Sequence, residues 1–206
     1  MFVEDYMTPN PFTIREDRSV DEAAAVIREK RVRQLPVVDE GGRLVGILTD
    51  RDVRQCLAYE CQVGEGLEVS EVMTAEPMTI SVDATLEEAV QCFVERRFGA
   101  LPVMRGKELV GIISYIDALR AFTDVLGLDV AGHRVEVALP EGFADVARAF
   151  DVIRGCDGHV LSVVVSRTRR DGGEPTLYIR VEEGQSRTVE ELLKKATMIL
   201  LEPEHD

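Results

Sequence analysis

Two stretches of the chain, YMTPNPFTI (Tyr6 to Ile14) and VMTAEPMTI (Val72 to Ile80), align with one another at a separation of 66 residues. A fixed internal period constrains a fold more than any single motif does, because each copy must form the same unit. The separation holds for Asp17 and Asp83, Ser19 and Thr85, Glu22 and Glu88, Ala23 and Ala89, and Leu35-Pro36-Val37 and Leu101-Pro102-Val103. It becomes 65 at Gly46 and Gly111, because the turn DEGGR in the first copy is one residue longer than RGKE in the second. GILTDRD (Gly46 to Asp52) therefore returns as GIISYID (Gly111 to Asp117).

Each copy spells out the same elements. Ser19-x-x-Glu22 and Thr85-x-x-Glu88 have the form of capping boxes, so a helix is expected to start at each. Val20, Ala23, Ala24 and Ile27, and their counterparts Leu86, Ala89, Val90 and Phe93, recur at helical spacing and give each helix one face to bury. Leu35 to Val38 and Leu44 to Leu48, separated by Asp39-Glu40-Gly41-Gly42, read as a hairpin. Last helices are expected to begin near Asp50 and Tyr115. The unit is a short extended lead-in, then helix, strand, strand, helix.

The paired MT-x-x-P lead-ins, the LPVV and LPVM strands and the G-h-h-[TS]-x-x-D ends, where h is apolar, resemble a tandem pair of CBS domains, the Bateman module, over about residues 1–125. The resemblance implies a pseudo-twofold pair with two clefts that in many relatives bind adenosine-containing ligands, and frequent stacking into a homodimer or higher homo-oligomer. It implies that Asp52 and Asp117 accept from ribose hydroxyls and that Thr49 and Ser114 contact ribose or phosphate. An ionised carboxylate is acceptor-only and suits a diol, while helix N-terminal amides favour phosphate. Thr49-x-x-Asp52 and Ser114-x-x-Asp117 are equally capping patterns, and the two roles are compatible. Pseudo-symmetry sets Thr49 and Asp52 with Phe98-Gly99-Ala100 in a first cleft, where Gly99 and Ala100 leave room for a purine, and Ser114 and Asp117 with Val32-Arg33-Gln34 in a second. Arg33 and Gln34 either fill that second cleft or contact phosphate and base, and Arg51 is a further phosphate candidate.

No third copy follows LGLDVAG (Leu126 to Gly132). HRVEVAL alternates as a strand, Pro140-Glu141-Gly142 turns the chain, and Phe143, Val146, Ala147 and Phe150 mark a helix face ending near Gly155. HVLSVVVSR and TLYIRVE are strands joined by RRDGGEP, Thr188-x-x-Glu191 is expected to cap a short helix, and TMILLE closes as a strand. The order β-α-β-β-α-β is the ferredoxin-like one. ALPEGFADVARAF resembles an ACT domain, which implies an amino-acid site at the strand-to-helix turn Leu139, Pro140, Glu141, Gly142 and Phe143; the alternative is that this domain only pairs subunits.

The expected fold class is thus α+β or α/β: CBS repeats at 1–62 and 67–125 forming a pseudo-twofold pair, a linker at 126–132, and a ferredoxin-like ACT-type domain at 133–206. Two CBS units followed by an ACT-like domain resemble the acetoin-utilisation CBS proteins (AcuB-like), which implies a link to acetoin or acetyl-CoA metabolism.

Among 206 residues, a net charge of −14 argues against broad contact with nucleic acid or anionic lipid. No apolar run approaches the roughly 18 residues of a spanning helix, and MFVEDYMTPN lacks the basic flank and apolar core of a signal peptide, so the expected location is cytoplasmic. Cys56, Cys61, Cys92 and Cys156 lack paired C-x-x-C spacing and read as reduced thiols, with no metal site. His133, His159 and His205 form no catalytic set, and no Walker, G-x-S-x-G or H-E-x-x-H motif occurs. Glu87-Glu88 and Glu190-Glu191 read as first-turn helix charges. The expected function is a regulatory protein without enzymatic activity, sensing AMP, ADP, ATP, NAD or S-adenosylmethionine and signalling to a protein target. The competing expectation is a ligand-independent assembly module.

Overall fold

The computed structural model describes residues 1–63, 66–154, 160–166, 175–184 and 186–201, with the backbone alone for 59–63. Cys156, His159, His205, the side chain of Cys61 and the RRDGGEP loop before Pro175 lie outside the described residues. The chain divides into two compact units, Met1–Leu119 and Arg120–Asp206.

The first copy runs α1 (Val3–Tyr6), β1 (Thr8–Pro9), β2 (Ile14–Arg15), α2 (Val20–Lys30), β3 (Gln34–Val38), β4 (Leu44–Thr49) and α3 (Asp50–Val63). The second runs through a 3-10 turn (Val69–Glu71), β5 (Thr74–Ala75), β6 (Ile80–Ser81), α4 (Leu86–Arg96), β7 (Ala100–Arg105), β8 (Glu108–Ser114) and α5 (Tyr115–Val125), whose last turns pass into the second unit. Both capping boxes form: the Ser19 and Thr85 hydroxyls accept from the amides of Glu22 and Glu88, whose carboxylates accept from the Ser19 and Thr85 amides in return. Both hairpin turns form over a left-handed glycine, Gly42 or Gly106, a conformation that costs glycine little.

Where the lead-ins pair is not written in either copy alone. The sheet orders are β2-β3-β4-β5 and β6-β7-β8-β1, so each repeat lends its lead-in strand to the other repeat's sheet. Gly46 and Ile47 pair with Ala75 and Thr74, and Gly111 and Ile112 pair with Pro9 and Thr8. The glycine of each G-h-h motif admits the methionine of the opposite MT-x-x-P. A Cβ on Gly46 would lie 2.2 Å from Met73 Sδ, and one on Gly111 would lie 2.3 Å from Met7 Sδ. Val69 of the second copy joins Ile14, Val20, Leu35, Val37, Leu48 and Val53 in the first core. Its counterpart Val3 is fully buried and donates its amide to Ala84 of the second copy.

The second unit runs β9 (Gly132–Ala138), α6 (Phe143–Arg154), β10 (Val160–Ser166), β11 (Thr176–Glu182), α7 (Ser186–Lys195) and β12 (Leu200–Leu201). The expected β-α-β-β-α-β order is observed, and the antiparallel sheet is ordered β10-β11-β9-β12. Its core joins Val135, Val137 and Leu139 with Leu177, Ile179, Val181, Val189 and Leu193. Two local expectations fail. Helix α6 buries Val146, Ala149 and Ile153, while Phe143 and Phe150 are 86% and 50% exposed and Ala147 is exposed. The stripe through Val146 supplies smaller side chains that fit against the sheet, and the aromatic stripe is left outside. Helix α7 starts at Ser186, so Thr188 lies inside it and does not cap it.

Candidate functional site

Each sheet ends where a strand passes directly into a helix. Thr49 ends β4, and its Oγ1 donates to Asp52 Oδ2 at 2.6 Å; the Thr49 amide donates to the same oxygen at 3.0 Å, and the Asp52 amide donates to Thr49 Oγ1 at 3.2 Å. Ser114 and Asp117 repeat this at 2.6, 2.9 and 3.3 Å. The capping role of both pairs is therefore realised. All four residues are half-buried. Arg51, one residue beyond the first cap, is exposed.

Between the two repeats lies a cavity of about 430 Å³ lined by Thr49, Gln34 and Ile47 of the first copy and by residues 74, 76–78 and 98–102 of the second. Phe98, Gly99 and Ala100 thus share this cavity with Thr49. Asp52 does not line this cavity. It lines another of about 510 Å³, with Gln55, Cys56, Leu67, Glu71 and Val72, because it sits in the first turn of α3 while Thr49 ends the strand.

Gln34 also departs from its expected place in a second cleft. It pairs in register with Thr49, so their side chains share a sheet face, and it enters the first cavity instead. There its amide lies over Gly99, where a Cβ would stand 3.2 Å from Gln34 Nε2. Arg33 is exposed and accepts through its carbonyl from the Asp50 amide at 2.8 Å; the second copy repeats this contact from the Tyr115 amide to the Gly99 carbonyl at 3.2 Å. Sequence reasoning missed Thr74, Glu76, Pro77 and Met78, although the repeated T-x-x-P was the available signal. Their approach depends on the exchanged lead-in, held at Glu76 by its amide donating to the Val45 carbonyl at 3.0 Å.

The turn from β9 to α6 is tied to itself. Gly142 is left-handed and donates to the Leu139 carbonyl, the Glu141 amide donates to Asp145 at 2.7 Å, and Arg148 donates to both Glu141 and Asp145. Asp145 is buried, so its charge is matched by a guanidinium and an amide where water is excluded. Leu139 is buried, whereas Pro140, Glu141 and Phe143 are exposed.

Residues 3–59 and 69–124 match the model of the CBS domain family. Among solved structures, CBSX2 of Arabidopsis thaliana in complex with AMP is 33% identical, with a TM-score of 0.53 over 59% of this chain and 95% of its own. The CBS domain pair of protein MJ0100 in complex with 5′-methylthioadenosine and S-adenosyl-L-methionine is 28% identical, with a TM-score of 0.54 over 59% and 95%. A protein assigned to acetoin utilization, AcuB from Vibrio cholerae, is 28% identical, with a TM-score of 0.55 over 63% and 95%. The homoserine O-acetyltransferase of Methanococcoides burtonii is 39% identical over 119 residues, 57% of this chain and 23% of that enzyme. The chain spans about a quarter to a half of the length of the curated relatives it matches first, so likeness to such an enzyme transfers none of its chemistry.

Proposed function

The chain belongs to the CBS domain family, and on that premise we propose that it is a cytoplasmic regulatory protein that binds an adenosine-containing ligand between its two repeats. The observation that carries this reading is the 430 Å³ cavity, whose size falls within the roughly 300–1,000 Å³ of small-molecule sites. Apolar walls from Ile47, Phe98, Ala100 and Pro102 suit a purine, and Thr49 and Gln34 supply polar contacts. The complexes of CBSX2 with AMP and of MJ0100 with 5′-methylthioadenosine and S-adenosyl-L-methionine support the ligand class. Asp52, Ser114, Asp117, Arg33 and Arg51 remain proposed ligand contacts in addition to their observed places. A link to acetoin metabolism rests on the likeness to AcuB alone.

The domain reading is two CBS units at 1–62 and 67–125, a linker, and an ACT-type domain at 133–206, for which the ferredoxin-like order of the second unit is the support. Of its two roles, subunit pairing has the better support. The turn Leu139 to Phe143 already satisfies Asp145 and Arg148 internally, while Phe143, Ala147 and Phe150 lie outward on one helical stripe. Pairing without any ligand is the competing account of the whole chain.

Thermal melts with AMP, ADP, ATP, NAD, S-adenosylmethionine and a panel of amino acids test these readings, since a ligand that binds only the folded state stabilises it by about 1.4 kcal/mol at ten times its Kd. One adenosine ligand should raise the transition of the wild type and leave that of Gly99→Leu, whose side chain obstructs the cavity beside Gln34, unchanged. No rise with any adenosine ligand at millimolar concentration leaves assembly as the function.

A further inference from the structure

Glu76, itself exposed, is the one ionisable residue among the described residues that line the inter-repeat cavity. Arg33 and Arg97, the sequence neighbours of Gln34 and Phe98, are exposed and do not line it. Glu76 also has left-handed backbone, with φ of +48°, a region that disfavours residues with a long side chain and is several-fold enriched in asparagine. The other repeat supplies the comparison. Its matching residue 66 positions earlier is Asn10, with the same φ of +48° and the matching amide bond, to the Val110 carbonyl at 3.1 Å. The same strained conformation is thus met by the favoured residue in one lead-in and by an acidic residue in the other, where that residue lines a cavity. A disfavoured backbone state retained at a site points to a use for its side chain.

Resting on the adenosine-ligand reading, we propose that Glu76 sets the ligand class of this cavity: adenosine ligands with an uncharged or cationic 5′ substituent, such as a thioether or sulfonium, over those bearing phosphate. The distances make this independent of how the ligand lies. A sphere of 430 Å³ is about 9 Å across, close to one Debye length of about 10 Å at 0.1 M salt, so a phosphate anywhere inside feels at least about a third of the carboxylate's unscreened field. Like charges at that range disfavour binding by about tenfold, and a sulfonium gains where a phosphate loses. A chain with a net charge of −14 adds to the same bias.

The test is calorimetric titration of the full chain with 5′-methylthioadenosine, S-adenosylmethionine, AMP and ATP, for wild type, Glu76→Gln and Glu76→Asn, at low and high salt. Wild type should favour the first two ligands over AMP and ATP by about tenfold, with the preference shrinking to about twofold in Glu76→Gln and at high salt. Glu76→Asn should lose the preference in the same way while its ligand-free melting temperature rises by about 2 °C, because the left-handed strain is relieved. Equal or tighter binding of AMP and ATP to the wild type overturns the proposal, as does a preference that survives Glu76→Gln. No binding of any of the four ligands overturns the adenosine-ligand reading itself, and this proposal with it.

Discussion

Asp52 and Asp117 each hold the amide and hydroxyl of the residue that ends the preceding strand, so replacing either acts on stability before it acts on any ligand. Asp52→Ala and Asp117→Ala should each cost about 1 kcal/mol in urea unfolding with no ligand present. A variant as stable as wild type would show the caps to be idle. Glu88 gives the matching pH signature. Hydrogen bonds from the Thr85 amide and hydroxyl hold its carboxyl below the ordinary value of 4.5. The group therefore stabilises the fold in full above that value, and the contribution is lost as pH falls through its lowered folded value. Melting temperatures of wild type and Glu88→Gln should consequently converge as the medium is acidified below pH 4.5, and a constant difference would contradict this. At this scale the sequence was readable because capping is local: Ser19, Thr85, Thr49 and Ser114 each find their partner three residues on. Glu76 was not readable as a site residue, because the cavity it lines exists only where Gln34, Ile47 and Thr49 of the other repeat meet residues of its own.

The exchanged lead-ins show what a repeat conceals. Strands as short as Thr8–Pro9 and Thr74–Ala75 have too few residues for an alternating pattern, so nothing in either stretch identifies its partner strand. The glycines were visible as part of a motif, but their reason, the methionine of the opposite copy, is a tertiary one. Gly46→Ala should therefore destabilise by about 1–3 kcal/mol, because Met73 must leave a packed position. Met73→Ala should absorb much of that loss, so the double variant is less destabilised than the sum of the single ones. Additive losses in urea unfolding would mean that the two residues do not touch. Helix α6 fails for a different reason: Val146-Ala149-Ile153 and Phe143-Ala147-Phe150 are neighbouring stripes, and periodicity alone does not rank them.

Among the described residues, no helix is long and apolar enough to cross a membrane, yet apolar stripes remain outside. Along α5, Tyr115, Ile116, Leu119, Phe122 and Val125 are all exposed, and α6 adds Phe143 and Phe150. Exposed apolar side chains along one helix, on α5 and separately on α6, are the kind of surface that association covers, which fits the proposed homo-oligomer. Leu119→Glu, or Phe143→Ser with Phe150→Ser, should shift wild-type assemblies toward a 22.9 kDa monomer in sedimentation velocity; an unchanged mass distribution would move the interface elsewhere. Regulation by such an assembly requires that ligand favour one arrangement of the two repeats, because only differential affinity shifts a population, with a typical coupling of about 1–3 kcal/mol. All of this depends on the inter-repeat cavity being a binding site. The most direct measurement is calorimetric titration of adenosine ligands into wild type and Gly99→Leu, a variant that obstructs the cavity beside Gln34 and changes no residue of either capping box. The expected result is saturable binding of at least one adenosine ligand to the wild type and its loss in a variant that melts as the wild type does. Binding that persists in Gly99→Leu, or no binding of any adenosine ligand to the wild type, would contradict the assignment.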